Sequence, residues 1–128
     1  MKHEVNIPEI VDEVKKRFEE YNAAVECGDT DALNGFFWSS VHTIRFGHAE
    51  HLFGHSEIAA FRSGQWKRGA PRRLERLAIT TLGRDFATTN ALFRGIEDHG
   101  PLNRQSQTWV RFPEGWRIIA AHVSALAI

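Results

Sequence analysis

At 128 residues the chain has the length of one domain, long enough to bury a hydrophobic core without staples. A hydrophobic fraction of 42% and a charged fraction of 25% are ordinary for a globular protein. The formal net charge is zero, 16 basic against 16 acidic residues, and the single cysteine, Cys27, excludes an intramolecular disulfide.

The charge balance argues against a nucleic-acid or membrane-surface partner, since both draw on a basic excess. It also favours self-association, because a neutral surface offers little colloidal protection. The opening MKHEVNIPEI lacks a signal-peptide core, and no apolar run approaches the roughly 18 residues of a membrane span. The expected location is the cytoplasm. No repeat, linker or low-complexity tract divides the chain, so residues 1–128 read as one domain.

The first predicted element is a helix from Pro8 to Cys27, opened by proline and stopped by Gly28. Ile10, Val11, Val14, Phe18, Tyr21, Ala24 and Val25 form its apolar stripe, with Tyr21 near the middle. Asp29 or Thr30 caps a short second helix ending at Phe36 or Phe37. A strand is expected from Val41 to Phe46, a short partner in EHLFG, and a third helix after Ser56. Beyond Gly69, Ala70 and Pro71 come four strands: Arg72–Leu82, Phe86–Arg94, Arg104–Phe112 and Trp116–Ser124. GRD, EDHGP and PEG turn the chain between them. Helices set against one face of an antiparallel meander make an α+β domain. Strict alternation puts Trp116, Ile118, Ala120, His122 and Ser124 on one face of the last strand. Both faces of that strand are apolar. One would meet the helices and the other a second copy of the chain, giving a homodimer.

Two residues stand out for chemistry. Arg45 shares a strand face with Val41 and Thr43. Its planar fork can hold a carboxylate in a pocket, or pair with a structural acid. Tyr21 brings a hydroxyl to an apolar stripe, where it needs a partner. That partner is either a backbone carbonyl or a group in a pocket. His42, His48, His51 and His55 with Glu50 raise a metal reading. Structural zinc sites usually recruit cysteine and Cys27 is alone, so no metal is expected. The run from Arg62 to Arg76 carries six basic residues and one acid, Glu75, and reads first as solvated surface. It could also steer anions or dock an acidic partner.

FFWSSVHTIRFG, EIAAFR, ITTLGRDFATTNALFR and RQSQTWVRFPEGWRIIAAHVS carry a resemblance. They resemble the AtzH-like group, which includes HpxZ-like proteins, within the nuclear transport factor two-like (SnoaL-like) superfamily. The resemblance implies a cone-shaped, cystatin-like α+β fold with a pocket between the long helix and a curved sheet. It implies action on carboxylated ureas or ureido acids beside an amidase, in the catabolism of oxalurate and related nitrogen compounds. Loss of one carboxyl unit, as from dicarboxyurea to allophanate, needs no cofactor. The implied catalytic pair is Tyr21 and Arg45, with His122, Ser124 and Trp38 as candidate substrate-binding residues. His51 and Phe53 depart from the group's pattern, where an asparagine and a tyrosine are expected. The other reading is a non-catalytic homodimer that binds a small acid or a partner amidase.

Overall fold

The computed structural model describes residues 3–64, 71–96 and 100–126. Helix α1 spans Pro8–Cys27 and buries Ile10, Val14, Phe18, Tyr21 and Ala24, while Val11 and Val25 of the predicted stripe stay half-buried. Pro8 opens it, and Gly28 closes it at φ 73°, a left-handed conformation that glycine adopts without strain. Helix α2, Thr30–Phe36, is capped by the Asp29 carboxylate, which accepts from the Ala32 N–H. Strands β1, Ile44–Phe46, and β2, His51–Phe53, form a hairpin that leads into α3, His55–Gly64. The meander follows as β3, Arg72–Leu82; β4, Phe86–Gly95; β5, Leu102–Phe112; and β6, Gly115–Leu126. The six strands run β2-β1-β6-β5-β4-β3, with β1 parallel to β6 and every other pair antiparallel. This is the expected α+β architecture.

The first strand is shorter than predicted. Val41 is 82% exposed and the chain turns before Thr43. The Ser40 hydroxyl accepts the His42 N–H, and the Thr43 hydroxyl donates to the Trp38 carbonyl at 2.7 Å. These local bonds replace the ladder bonds that a longer strand would make. Ser56 is also not a cap, because α3 begins one residue earlier, at His55.

Two β-bulges matter more than these boundaries. In β6 the pairing passes from Thr108↔Ala120 to Trp109↔Ile118, so Ile119 is an extra residue. In β3 it passes from Leu74↔Phe93 to Arg76↔Leu92, so Glu75 is extra. An extra residue reverses which face every later side chain takes. The inner face of the sheet, under the helices, therefore carries Trp116, Ile118, Ala121 and Val123 from β6. His122 and Ser124 lie on the outer face, which corrects the expectation of strict alternation. On β3 the second bulge turns Arg72 inward and Arg73 outward. Trp109, Ile118, Phe37, Leu33 and Val14 form the core between α1, α2 and the sheet.

Candidate functional site

Tyr21 is 4% exposed, and its ring meets Phe36 and Phe37 edge-on at 5.5 and 6.3 Å between centroids. Those contacts fix the ring plane, and Arg62 hydrogen-bonds to the hydroxyl. Arg62 occupies the α3 position one turn after buried Ile58, so the helix packs both against the interior. Its guanidinium is 4% exposed and lies 5.3 Å from the Phe37 centroid. Burial pushes its pKa below the ordinary range. The Tyr21 oxygen acts in the opposite direction, through its charge when ionised and through its hydrogen bond to the guanidinium, while the positive charge of Arg45 adds to the lowering. Arg62 thus feels both Tyr21 and Arg45.

Arg45 sits in β1 beside Ala121 of β6, on the inner face. Its Nη1 lies 3.0 Å from the Glu50 carboxylate, and the two side chains are only 12% and 21% exposed. The β1–β2 turn makes this pair. A side chain at Gly47 would collide with the Glu50 carboxylate, so glycine is what lets Glu50 fold back onto Arg45. The ion pair fixes one corner of the fork and leaves the guanidinium plane defined.

Arg72 closes the set. Its Cζ stacks 3.8 Å from the Phe93 centroid, and its Nη2 donates to Asn22 of α1 at 3.4 Å. Burial lowers its pKa, and Tyr21 and then Glu26 oppose that shift. One tyrosine and three arginines from α1, β1, α3 and β3 therefore share one electrostatic neighbourhood. Such a group favours a small anion.

The other candidates lie elsewhere. His122 is exposed, with its ring 5.8 Å from that of Phe46 on the outer face. The Ser124 hydroxyl accepts from Arg104 Nε at 3.1 Å, also on that face. Neither is brought to Tyr21, because the Ile119 bulge turns them away. Trp38 stacks on Phe112 at 5.3 Å. It lines a separate open groove of about 460 Å³ with Asn34, Phe37, His55, Glu114 and Arg117. His51 and Phe53 contact each other on the outer face, at 6.1 Å between ring centroids. Among the described residues, no three His, Cys, Asp or Glu side chains gather as metal ligands. His55 is engaged with the Asn34 carbonyl at 2.8 Å. In the basic run, Trp66, Lys67 and Arg68 fall outside the described residues. Arg62 and Arg72 are not solvated, contrary to the first reading of that run. The spacing of Arg62 from Ile58 was the available signal.

A family model for AtzH-like proteins matches residues 3–128. The chain belongs to the AtzH-like family. A cystatin-like fold protein from Burkholderia xenovorans is 41% identical over 98% of each chain, with a TM-score of 0.93. A protein of unknown function from Pectobacterium atrosepticum is 39% identical over 96% of this chain and 95% of its own, with a TM-score of 0.90. A nuclear transport factor 2-like protein from Pseudomonas putida is 19% identical over 90% and 85%, TM-score 0.76, and shares the fold alone. Among curated proteins none matches. The AtzH-like assignment and the fold mark a small-molecule-binding domain. No described helix is long and apolar enough to cross a membrane.

Proposed function

We propose that the domain binds a small carboxylated urea or ureido acid beneath α1 and removes one carboxyl unit from it, working beside an amidase. The observation that carries this reading is buried Tyr21, hydrogen-bonded to buried Arg62, which also feels the charge of Arg45. A guanidinium only donates. Tyr21 therefore accepts from Arg62 and keeps its own proton to give away. Arg45 binds the retained carboxylate. Tyr21 protonates the nitrogen bearing the N-carboxylate, the C–N bonding pair goes to that nitrogen, and carbon dioxide leaves. The phenolate left behind faces Arg62 and Arg72 and recovers its proton from water. Positioning and charge do the chemistry, so no cofactor enters the scheme.

The test is incubation of the purified protein with dicarboxyurea, allophanate and oxalurate, with carbon dioxide and ammonia assayed. Release of carbon dioxide from dicarboxyurea, leaving allophanate, supports the reading. Silence with all three substrates, together with tight binding of one, leaves the second reading, a homodimeric module that presents a small acid to the amidase. The Arg45–Glu50 ion pair favours that alternative, because Glu50 already occupies one corner of the fork. The outer sheet face, with Phe53 52% exposed beside Phe46 and His122, offers the dimer surface. A cytoplasmic setting fits both readings.

A further inference from the structure

Gln107 lies in the middle of β5 on the inner face and is 2% exposed. The register sets it in one row with Arg45 across the sheet. Arg45 stands beside Ala121, Ala121 beside Gln107, and Gln107 beside Thr89. Two strand spacings, about 10 Å, separate the backbones at Arg45 and Gln107. Only the methyl group of Ala121 stands between them in that row.

A relay orients the Gln107 amide. Trp109 Nε1 donates to the Thr89 hydroxyl at 3.0 Å, and that hydroxyl donates to Gln107 Oε1 at 3.0 Å. An indole N–H is a donor only, so Thr89 must accept from it and pass its own proton onward. Turning the amide round would set two donors on that hydroxyl and deprive its proton of this acceptor. The relay therefore aims Nε2 away from Thr89. That nitrogen is buried and meets no acceptor among the described residues. A buried, unmet donor is destabilising, and a ligand that accepts from it relieves the cost.

We infer that Gln107 is a specificity-determining residue of the proposed acid site, donating from Nε2 to the carbonyl oxygen of the ligand's ureido or amide unit. The inference rests on the reading of that site as a carboxylate site and assigns the recognition of the ligand's neutral part. Arg45 holds the carboxylate and Gln107 the carbonyl, with only the small Ala121 between them in the row. An acid that has the carboxylate without the carbonyl leaves Nε2 unmet and binds less well.

The experiment is calorimetric titration with 3-oxoglutarate and glutarate, diacids of equal length of which only the first carries a central carbonyl. The parent is expected to bind 3-oxoglutarate at least about tenfold more tightly, the scale of one hydrogen bond to a buried donor. Gln107→Leu keeps the volume and removes the donor. It should reduce that preference to less than about twofold while glutarate binding persists. If the variant does not fold, the side-chain amide resonances of the parent keep the test open. The Gln107 amide should shift with 3-oxoglutarate and not with glutarate. Equal binding of the two acids by the parent, an amide unmoved by 3-oxoglutarate, or a preference that survives Gln107→Leu overturns the role of Gln107 and leaves the acid site standing. If the parent binds neither acid, the acid site itself fails and the inference falls with it.

Discussion

The two faces of one sheet have been put to opposite uses. The inner face gathers charge and amide groups: Arg45 and Arg72, with Arg62 and Tyr21 supplied by the helices above, and Gln105 and Gln107 from β5. The outer face gathers exposed rings: Phe46, Phe53, His51 and His122, with Phe86 exposed further along. Other rings of the sheet, Phe93, Trp109 and Trp116, are buried as ordinary patterning has it, so these positions are local exceptions. Such an exception costs stability. It makes sense where the interior meets an anion and the exterior meets another apolar surface. The proposed acid site and the proposed dimer are the two halves of that argument.

The comparison breaks most readily at Arg45. Arg45→Met keeps the stem and removes the fork, and carboxylate binding should weaken by about 2–5 kcal/mol in calorimetry. Part of any stability change would come from leaving Glu50 without its partner, so an Arg45→Met/Glu50→Gln double variant separates the two. If the double variant binds acids like the parent, the inner face is scaffold and not site.

The outer face predicts the converse. Phe53→Asp places a charge among the exposed rings, and the self-association constant should fall by about 2 kcal/mol or more, read as a monomer mass in light scattering. Acid binding inside should stay within about twofold, because no inner-face residue moves. A parent that is already monomeric at micromolar concentration removes the dimer half of the argument.

The dependence on pH sharpens the inner half. Burial lowers the pKa of Arg62 and of Arg72, so folding disfavours their protonated forms. The penalty is in full force below the folded-state pKa values and is relieved only as pH rises through them. Arginine remains charged throughout the working range, so the site's charge should hold steady. Acid binding should then be flat from about pH 6 to about pH 9. A midpoint inside that range would assign recognition to a histidine and not to these arginines.

The smallest effect is expected at the residues the bulge turned outward. His122→Ala and Ser124→Ala should each leave acid affinity unchanged and shift stability by no more than about 0.5 kcal/mol in the monomer. Loss of acid binding in either variant would mean that the outer face carries the ligand.

Much of this was legible in the sequence, and the missing part has a physical cause. The α1 stripe with Tyr21 at its middle followed from helical period, and a strand through Arg45 followed from its β-branched neighbours, though Val41 and Thr43 lie outside it. His122 and Ser124 were misplaced because a bulge at Ile119 leaves no turn residue, glycine or proline to announce it. The same blindness hid Arg72, which reaches the interior only because Glu75 is an extra residue. Arg62 was readable one turn from Ile58, but a basic run draws attention to charge and away from helical phase. Gln107 was readable in principle too, as a polar residue two places from Trp109 on a buried face.

The central claim is that Tyr21 gives up a proton to a bound acid, and Tyr21→Phe tests it most directly. The variant removes one hydroxyl and keeps the ring against Phe36 and Phe37. Carbon dioxide release from dicarboxyurea should fall by about 10²–10⁴-fold, the range for losing a general acid. Unfolding free energy should change by only about 1 kcal/mol, the net scale of one hydrogen bond. Turnover equal to the parent's in a variant that melts well below it would contradict the account and make Tyr21 a core residue.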